Sequence, residues 1–287
     1  MNWVPDTRSW FAGRRLAIAT RHKKEQAMAP VLEERLGVSC LVPDDLDTDR
    51  FGTFSGEIER RDDPRTTAGR KCDLAMELTG CTLAIASEGS YGPHPAIPWL
   101  PAGEEWVVLV DRQRGWRFSE RILTRQTNFQ GREITSREDL AAFAQAVGFP
   151  DHGIILRAAP GDTRDLIKGI CRQEDLDRYM EDLMRRHGKV FAETDMRALF
   201  NPTRMQQIRL VTESLVSRIL QGCPHCGLPG FGVTGHIPGL PCGLCGLPTR
   251  AVLSQVLSCD HCGHREERPR SDGRTREDPM YCDHCNP

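Results

Sequence analysis

The 287-residue sequence has no long apolar run and no strong excess of charge of either sign. Its longest apolar stretches, such as Leu83 to Ala86 and Trp106 to Val110, are far too short to cross a bilayer. The N-terminal segment carries scattered charges and no apolar core, which does not fit a secretory signal. We therefore expect a cytoplasmic protein with no membrane partner.

The near balance of charge also limits the partners. Lys and Arg number 38 against 40 Asp and Glu, which gives a formal net charge of −2 at pH 7. A chain with that balance has no general attraction to nucleic acid or to an anionic membrane. Hydrophobic residues make up 39% and charged residues 27%, a composition typical of a globular protein rather than a disordered one.

Cysteine is sparse through most of the chain and dense at its end. Eight of the twelve cysteines form four Cys-x-x-Cys pairs after residue 220. In a reducing compartment such pairs usually bind metal, because two knuckles together complete a tetrahedron of thiolates around Zn²⁺. Eight thiolates fill two closed sites, which is typical of structural zinc. The predicted ligands of the two zinc ions are Cys223, Cys226, Cys242, Cys245, Cys259, Cys262, Cys282 and Cys285.

Two ways of pairing the knuckles are open. In sequential pairing, the first two pairs share one ion and the last two share the other. In nested pairing, a strand from Thr249 to Ser258 joins the second and third pairs at one ion, and the first and fourth pairs close the other. The segment between the first two pairs, GLPGFGVTGHIPGLP, is too rich in Gly and Pro for a good hairpin, which favours nesting.

The charge of this C-terminal module indicates its role. Residues 221–287 hold six arginines against seven Asp and Glu, and each Cys₄ site adds formal negative charge. Such a module lacks the cationic surface that dominates phosphate binding by nucleic-acid proteins. We therefore expect a scaffold or a protein-docking module, with nucleic-acid binding as the disfavoured alternative.

The preceding residues alternate between strand and helix patterns. Apolar strands at Leu16 to Thr20 and Leu83 to Ala86 are each preceded or followed by amphipathic helices, and the last helix predicted before the cysteines runs from Met205 to Leu220. This alternation predicts an α/β domain with a mixed sheet flanked by helices over residues 14–220. A small double zinc-ribbon module over residues 221–287 follows it.

Polar side chains gather in the loops that follow the predicted strands, where α/β sheets bind ligands. Carboxylates mixed with Lys and Arg are typical of a magnesium–phosphate site, since hard cations prefer oxygen ligands and phosphates prefer cationic donors. Lys24, near the start of a helix, would add its charge to the helix N-terminus. The candidate catalytic residues are Lys24, Glu57, Glu88 and Asp195. The candidate substrate-binding residues from these loops are Thr20, His22, Arg50, Ser87, His152, Arg197, Asn201 and Arg204.

Two resemblances extend this interpretation. The segments ATRHKKEQAMAPVLEERLG, DLDTDRFGTFSGEIER, ASEGSYGPHP, FPDHGIILR, ETDMRALFNPTRM and GLPCGLCGLPT resemble an uncharacterised bacterial family known as a domain of unknown function. More distantly, the strand, the Thr20–Lys24 turn, the Ala68–Lys71 helix and the Glu88–Gly89 strand end resemble the inosine triphosphate pyrophosphatase-like superfamily. The Phe149-Pro-Asp-His-Gly segment and Asn201-Pro-Thr-Arg204 resemble its base-binding regions.

The distant resemblance implies an activity. Members of that superfamily cleave nucleoside triphosphates to monophosphates with Mg²⁺. By this resemblance Thr20 and Lys24 contact phosphate, Glu57 or Glu88 binds the metal, and Phe149 and Arg204 contact the base. The leading hypothesis is therefore a magnesium-dependent hydrolase acting on a small phosphorylated nucleotide. The alternative is a non-enzymatic zinc-ribbon adaptor that binds nucleic acid or a protein.

Overall fold

The computed structural model describes residues 6–46 and 62–287. The chain divides into two compact units: one spans Ala12–Leu215, and the other joins the N-terminal segment up to Phe11 to Val216–Pro287. The described residues form five α-helices and three β-sheets, so the predicted mixed α/β class is confirmed. The predicted boundary at residue 220 stays a prediction. No helix in the described ranges is long and apolar enough to span a membrane.

The larger unit contains a five-stranded mixed sheet in the order β2-β1-β3-β4-β5. β1 is parallel to both of its neighbours, whereas β3, β4 and β5 form an antiparallel meander. The strands are β1 (Arg15–Ile18), β2 (Ser39–Leu41), β3 (Leu83–His94), β4 (Ile97–Asp111) and β5 (Trp116–Thr124). β3 and β4 continue well past the apolar runs from which strands are predicted. Their polar and Gly-rich continuations stay extended because they pair with neighbouring strands.

The order of the strands reverses beside β1. The chain leaves β1 through helix α1 (Glu25–Leu36) to β2 on one side, then returns through α2 (Pro64–Thr79) to β3 on the other. Such a reversal opens a crevice beyond the carboxyl ends of the two central strands, where ligands of α/β proteins bind. Both helices end where expected, at Gly37 and Gly80, which adopt the left-handed conformation that glycine tolerates best.

The packing of α2 fixes which side chains of β3 face it. Ala84 and Ala86 pack with Ala68, Cys72 and other buried residues of α2 in one apolar cluster. Because side chains alternate along a strand, Glu88 lies on this same face, whereas Ser87 points to the opposite face. This part of β3 thus supplies polar side chains to both faces of the sheet.

A second, four-stranded sheet completes the larger unit. Its order is β6-β9-β7-β8, all antiparallel. Helices α3 (Arg137–Val147) and α4 (Gln173–His187) pack on it through one apolar core. The strands are β6 (Gly131–Ile134), β7 (Ile154–Arg157), β8 (Ile167–Ile170) and β9 (Val190–Thr194). The segment from Glu193 to Met205 contains the end of β9 and the first turn of α5 (Pro202–Leu220).

A buried ion pair fastens the start of α5 to the five-stranded sheet. Arg204, 2% exposed, donates from Nε and Nη2 to the two carboxylate oxygens of Glu105, at 3.1 Å each. Its Nη1 donates to the Met196 carbonyl at 2.6 Å. Gly89 lies opposite Glu105 in the β3–β4 ladder, and a Cβ there would overlap the Glu105 carboxylate. The pair therefore requires glycine at position 89.

The smaller unit is built on a three-stranded antiparallel sheet in the order β10-β11-β12. Its strands are β10 (Gly232–Pro238), β11 (Val252–Ser258) and β12 (Arg265–Pro269). β10 lies in the segment that the sequence indicated to be too rich in Gly and Pro for a good hairpin; the segment forms a single strand, which pairs with β11 and not with itself. β10 tolerates Gly and Pro because it is an edge strand, and its register with β11 shifts at two points.

We predict that Gly89→Ala destabilises the protein by about 3 kcal/mol, since displacing Glu105 leaves the Arg204 charge buried without its partner. Gly92→Ala is the matched control: Gly92 lies in the same strand, and a Cβ there meets no atom within 4 Å. Chemical denaturation of both variants measures the difference. Equal unfolding free energies would show that the pair does not need glycine at this position.

Candidate functional site

The turn after β1 begins the site. The Thr20 hydroxyl accepts the backbone N–H groups of His22 at 3.2 Å and Lys24 at 3.3 Å, which folds the chain tightly before α1. Lys23 adopts a φ of 55°, a left-handed conformation that is uncommon for a residue other than glycine. Strained turns of this kind concentrate at functional sites. The turn directs Lys24 inward at the carboxyl end of β1.

Lys24 is 6% exposed and reaches the neighbouring strand. Its Nζ donates to the Ser87 carbonyl at 2.8 Å and to the Ser87 hydroxyl at 3.0 Å. Both acceptors are neutral. Among the described residues, the Lys24 ammonium therefore has no hydrogen bond to a carboxylate. A buried cation held by neutral acceptors is costly unless an anion joins it.

The other charges of the cluster are paired. Lys71 Nζ lies 2.5 Å from Glu88 Oε2, with both side chains buried, and Arg204 pairs with Glu105 as described. The cluster therefore holds three cations, Lys24, Lys71 and Arg204, against two carboxylates. This excess of one positive charge in a crevice favours the binding of an anion.

The same surroundings shift two pKa values. Burial first, and then the charge of Arg204, lower the pKa of Lys24 to about 7. Burial and the charge of Lys24 lower the pKa of His22 to about 3, with further contributions from Arg197, Arg204 and Lys71. His22 is thus neutral at physiological pH. The charge of the site near neutral pH is set by Lys24.

A second group of candidate residues surrounds the start of α5. The Asp195 carboxylate, fully buried, accepts from the Arg197 guanidinium, with Nη2 at 2.5 Å, and from the backbone N–H of Gly169 at 3.0 Å. Asn201 caps the helix by accepting the Arg204 N–H at 2.9 Å. These bonds hold Asp195 and Asn201 as supports for the turn that carries Arg197 and Arg204.

Two further predicted residues, His152 and Phe149, contact the start of α5 and the core of the four-stranded sheet. His152 Nε2 lies 2.9 Å from the Thr203 hydroxyl, in the first turn of α5. Phe149 packs against the core of the four-stranded sheet. Arg50 and Glu57 fall outside the described residues. The structure thus brings Thr20, His22, Lys24, Ser87, Glu88 and Arg204 together, with Arg197 near enough to affect His22. Their functional roles stay predictions.

Two members of the cluster were missed as site residues. Glu105 shares its strand face with the buried residues Val107 and Leu109, and that alternation is visible in the sequence. Lys71 likewise falls on the helix face of Ala68 and Ala75, at i+3 and i−4. A charged residue at an inward position is the signal that could have identified both.

The two metal centres of the smaller unit have the geometry of zinc sites. Cys223, Cys226, Cys259 and Cys262 form one group, and Cys242, Cys245, Cys282 and Cys285 form the other. Sγ–Sγ distances across the knuckles are 3.7 Å (Cys223–Cys262, Cys226–Cys259 and Cys245–Cys282) and 3.9 Å (Cys242–Cys285). Zn–S bonds of about 2.3 Å in a tetrahedron require about 3.8 Å between sulfurs. Both sites therefore fit structural zinc.

The first knuckle shares a site with the third, and the second shares a site with the fourth. The knuckles are thus interleaved, and both pairings considered from the sequence are wrong. β10 and β11 are antiparallel, with Gly232 opposite Ser258. This register places the knuckle before β10 and the knuckle after β11 at the same end of the sheet. The second and fourth knuckles meet at the bridge between Cys242 and Glu277. The mistake followed directly from overlooking β10.

Backbone hydrogen bonds shape each knuckle. The N–H of Gly227 donates to the Cys223 carbonyl at 2.8 Å, and Gly246 and Gly263 repeat this bond in their own knuckles. All three glycines have φ near +75°, between 73° and 76°. The His225 N–H lies 3.4 Å from the Cys223 sulfur, the type of contact that stabilises a thiolate ligand. The sequence thus folds each Cys-x-x-Cys turn toward a metal.

The chain belongs to the family described as Domain of unknown function (DUF6671), whose model matches residues 71–287. That range includes the paired charges of the buried cluster and both cysteine centres, whereas Thr20 and Lys24 precede it. A search of curated proteins found no match. The resemblance to an uncharacterised family, seen in the sequence, is therefore confirmed.

We predict that the double variant Cys223→Ser/Cys259→Ser retains about one zinc per chain, because both residues belong to one centre. The matched double variant Cys223→Ser/Cys242→Ser touches both centres and should retain almost none. Elemental analysis of the purified proteins measures the metal. Sequential or nested pairing would instead remove both ions in the first variant, and this outcome would contradict the interleaved arrangement.

We also predict that the stability contributed by Lys24 depends on pH. Its folded pKa of about 7 is below the ordinary lysine pKa of 10.5, so the unfolded state binds more protons between these values. The cost of burying Lys24 is then full below pH 7 and disappears as the pH approaches 10.5. Relative to Lys24→Met, the wild type should gain up to about 1.4 kcal/mol per pH unit in this window.

Denaturation of both proteins between pH 7 and 10 measures this difference, and all other titrating groups cancel in the comparison. Lys189→Met, at an exposed lysine of the same unit, is the control and should show no such slope. A stability difference between wild type and Lys24→Met that stays constant over this range would contradict a lowered pKa for Lys24.

Proposed function

We propose that the larger unit is a magnesium-dependent hydrolase that cleaves a nucleoside triphosphate to its monophosphate and pyrophosphate. The observation that carries the proposal is the buried ammonium of Lys24, held only by Ser87 among the described residues, beyond the carboxyl end of β1 and beside β3. A polyphosphate is the kind of ligand that supplies the missing negative charge. The resemblance to the inosine triphosphate pyrophosphatase-like superfamily gives the reaction class.

In this reaction a water oxygen bonds to the α-phosphorus while the bond to the oxygen bridging the α- and β-phosphorus breaks, and pyrophosphate leaves. Lys24 holds the phosphate chain, and Thr20 keeps the turn that aims Lys24 inward. Arg204 and its partner Glu105 form the wall beside the phosphates. Each of these groups is preorganised by hydrogen bonds, so binding needs little rearrangement.

The site fits magnesium through Glu88. Mg²⁺ is usually held by one or two carboxylates together with substrate phosphates, and Glu88 is the described acidic side chain that the resemblance assigns to metal. When bound, the ion neutralises phosphate charge in the transition state. Glu88 also pairs with Lys71, which orients its carboxylate in the absence of substrate.

Differences from the superfamily keep the substrate open within this class. Arg21 and His22 stand where its members carry Gly-Asn, and Lys24 lies one residue closer to Thr20 than usual. The neutral imidazole of His22, with its pKa of about 3, adds no charge to the phosphate site. We expect it to act as a hydrogen-bonding group toward the substrate.

A panel of nucleoside triphosphates with Mg²⁺ tests the proposal, with pyrophosphate release as the readout. Lys24→Gln and Glu88→Gln should each lower kcat/KM at least about 100-fold, because each removes a charge that acts on the phosphates. Lys189→Gln, at an exposed lysine of the same unit, should leave it unchanged. Absence of release from every triphosphate, or full activity in both variants, would overturn the proposal.

A second candidate function belongs to the smaller unit, as a protein-docking adaptor. Leu244 is 74% exposed inside its knuckle, and Tyr281, beside Cys282, is 64% exposed. Most arginines of this unit pair with carboxylates of the same unit; Arg250 with Asp283 is an example. This neutralisation weighs against nucleic acid as the partner. Binding of nucleic acid that weakens steeply with salt would contradict this preference.

A further inference from the structure

A small cavity lies beside the Arg204–Glu105 pair. Helix α5, strand β4 and the segment after β5 form its walls, together with Tyr91 from β3. Arg204 and Glu105 line the cavity and also affect the pKa of Lys24, so the cavity neighbours the proposed phosphate site. A nucleotide bound there would carry its base on the side of the cavity.

One side chain in this cavity has an unused hydrogen-bonding atom. Gln207, 4% exposed, donates from Nε2 to Gln126 Oε1 at 3.3 Å. Its Oε1 is buried and has no hydrogen-bond partner. Leaving such an acceptor unsatisfied costs about 1–3 kcal/mol. A native protein therefore retains a buried acceptor of this kind where a water or a ligand donates a hydrogen bond to it.

The size and chemistry of the cavity define what can fill it. The space available to the centre of a water-sized group is about 10 Å³, close to the 10–15 Å³ that one water needs. The Glu105 carboxylate, which also lines this space, already accepts from Arg204 and Tyr91. Gln207 Oε1 is therefore the acceptor left for a ligand, and a cavity of this size takes one small hydrogen-bond donor, such as an amino group.

An aromatic ring stands at the cavity. Tyr91 donates its hydroxyl to Glu105 at 3.0 Å, and its ring packs against Arg204, 5.5 Å from the guanidinium carbon. Gly103, opposite Tyr91 in the ladder, leaves room for that ring, since a Cβ there would lie 2.8 Å from it. A planar base has an aromatic surface to contact here while one of its edge groups enters the cavity.

The geometry points to a specificity site: the Gln207 cavity receives the exocyclic amino group of the substrate base, which displaces a water. This inference rests on the proposed function and narrows it to triphosphates of amino-bearing bases. Gln207 would be a specificity-determining residue, whose carbonyl oxygen accepts one amino hydrogen. A base without the amino group would leave that oxygen unpaired, which is how buried acceptors discriminate between substrates.

Two matched substrate pairs test the inference. ATP differs from purine riboside triphosphate by the 6-amino group, and GTP differs from inosine triphosphate by the 2-amino group. In at least one pair the wild type should favour the amino-bearing member in kcat/KM by about 10- to 100-fold. Gln207→Leu should reduce that preference to within about twofold. Gln206→Leu, at the exposed neighbour, should keep it.

The outcomes separate this inference from the proposed function. If the wild type hydrolyses both members of each pair equally, and Gln207→Leu changes nothing, the cavity holds an ordered water only, and the inference is wrong while the hydrolase stands. If no triphosphate is hydrolysed or bound in calorimetry, the proposed function fails and this inference fails with it. Gln207→Met replaces Gln207→Leu if thermal unfolding shows that the latter is destabilised.

Discussion

The cost of burying charge is the constraint on which the larger unit depends. Lys24, Lys71, Glu88, Glu105 and Arg204 are all nearly inaccessible to water. An isolated buried charge would cost several kcal/mol, so each must find a partner of opposite charge or neutral acceptors. The five-stranded sheet supplies these partners. Parallel β1 and the long β3–β4 hairpin bring the charged residues from distant parts of the chain to one place.

Pairing also restricts the backbone around the cluster. The Arg204–Glu105 pair needs the bare Cα of Gly89 beside it, and Arg204 needs the Asn201 cap to start α5 at the right residue. Asp195 in turn holds Arg197 and, through the Gly169 N–H, strand β8. Replacing a buried ion pair by apolar residues often leaves a protein equally stable, so pairs like these are poor evidence of a stabilising role. Among the described residues, the Lys24 ammonium that they surround has no hydrogen bond to a carboxylate, which favours the proposed ligand binding.

Helices were the more predictable part of the fold. Their apolar periodicity and the terminal glycines Gly37, Gly80, Gly148 and Gly188 lie close together in sequence, and each glycine adopts the left-handed conformation. Strand content was underestimated because pairing depends on distant partners. Residues 87–94 of β3 are polar and Gly-rich, and they are extended because β4 lies beside them. Local sequence carries no such information.

The residues of the candidate site likewise divide into those that local sequence identifies and those that depend on distant parts of the chain. Lys24 and Glu88 were found because motifs mark them, and the eight cysteines were found because their spacing is itself the signal. Glu105 and Gln207 were not singled out, since their position beside Arg204 and the cavity appears only when α5 packs on β4. The pairing of the knuckles was also missed, because it depends on the register of β10 with β11. The identity of the zinc ligands could thus be predicted from local sequence, whereas the knuckles that share an ion could not.

Interleaving has a physical consequence for the smaller unit. Each centre joins knuckles from separated parts of the chain, so neither zinc can bind fully until the intervening strand is in place. In sequential ribbons each ion would close only its own short loop. Here the loops overlap, and the binding free energy of each metal contributes to the same folded sheet. A unit with so small an apolar core, centred on Phe231 and Leu257, therefore depends on its metals for a single structure.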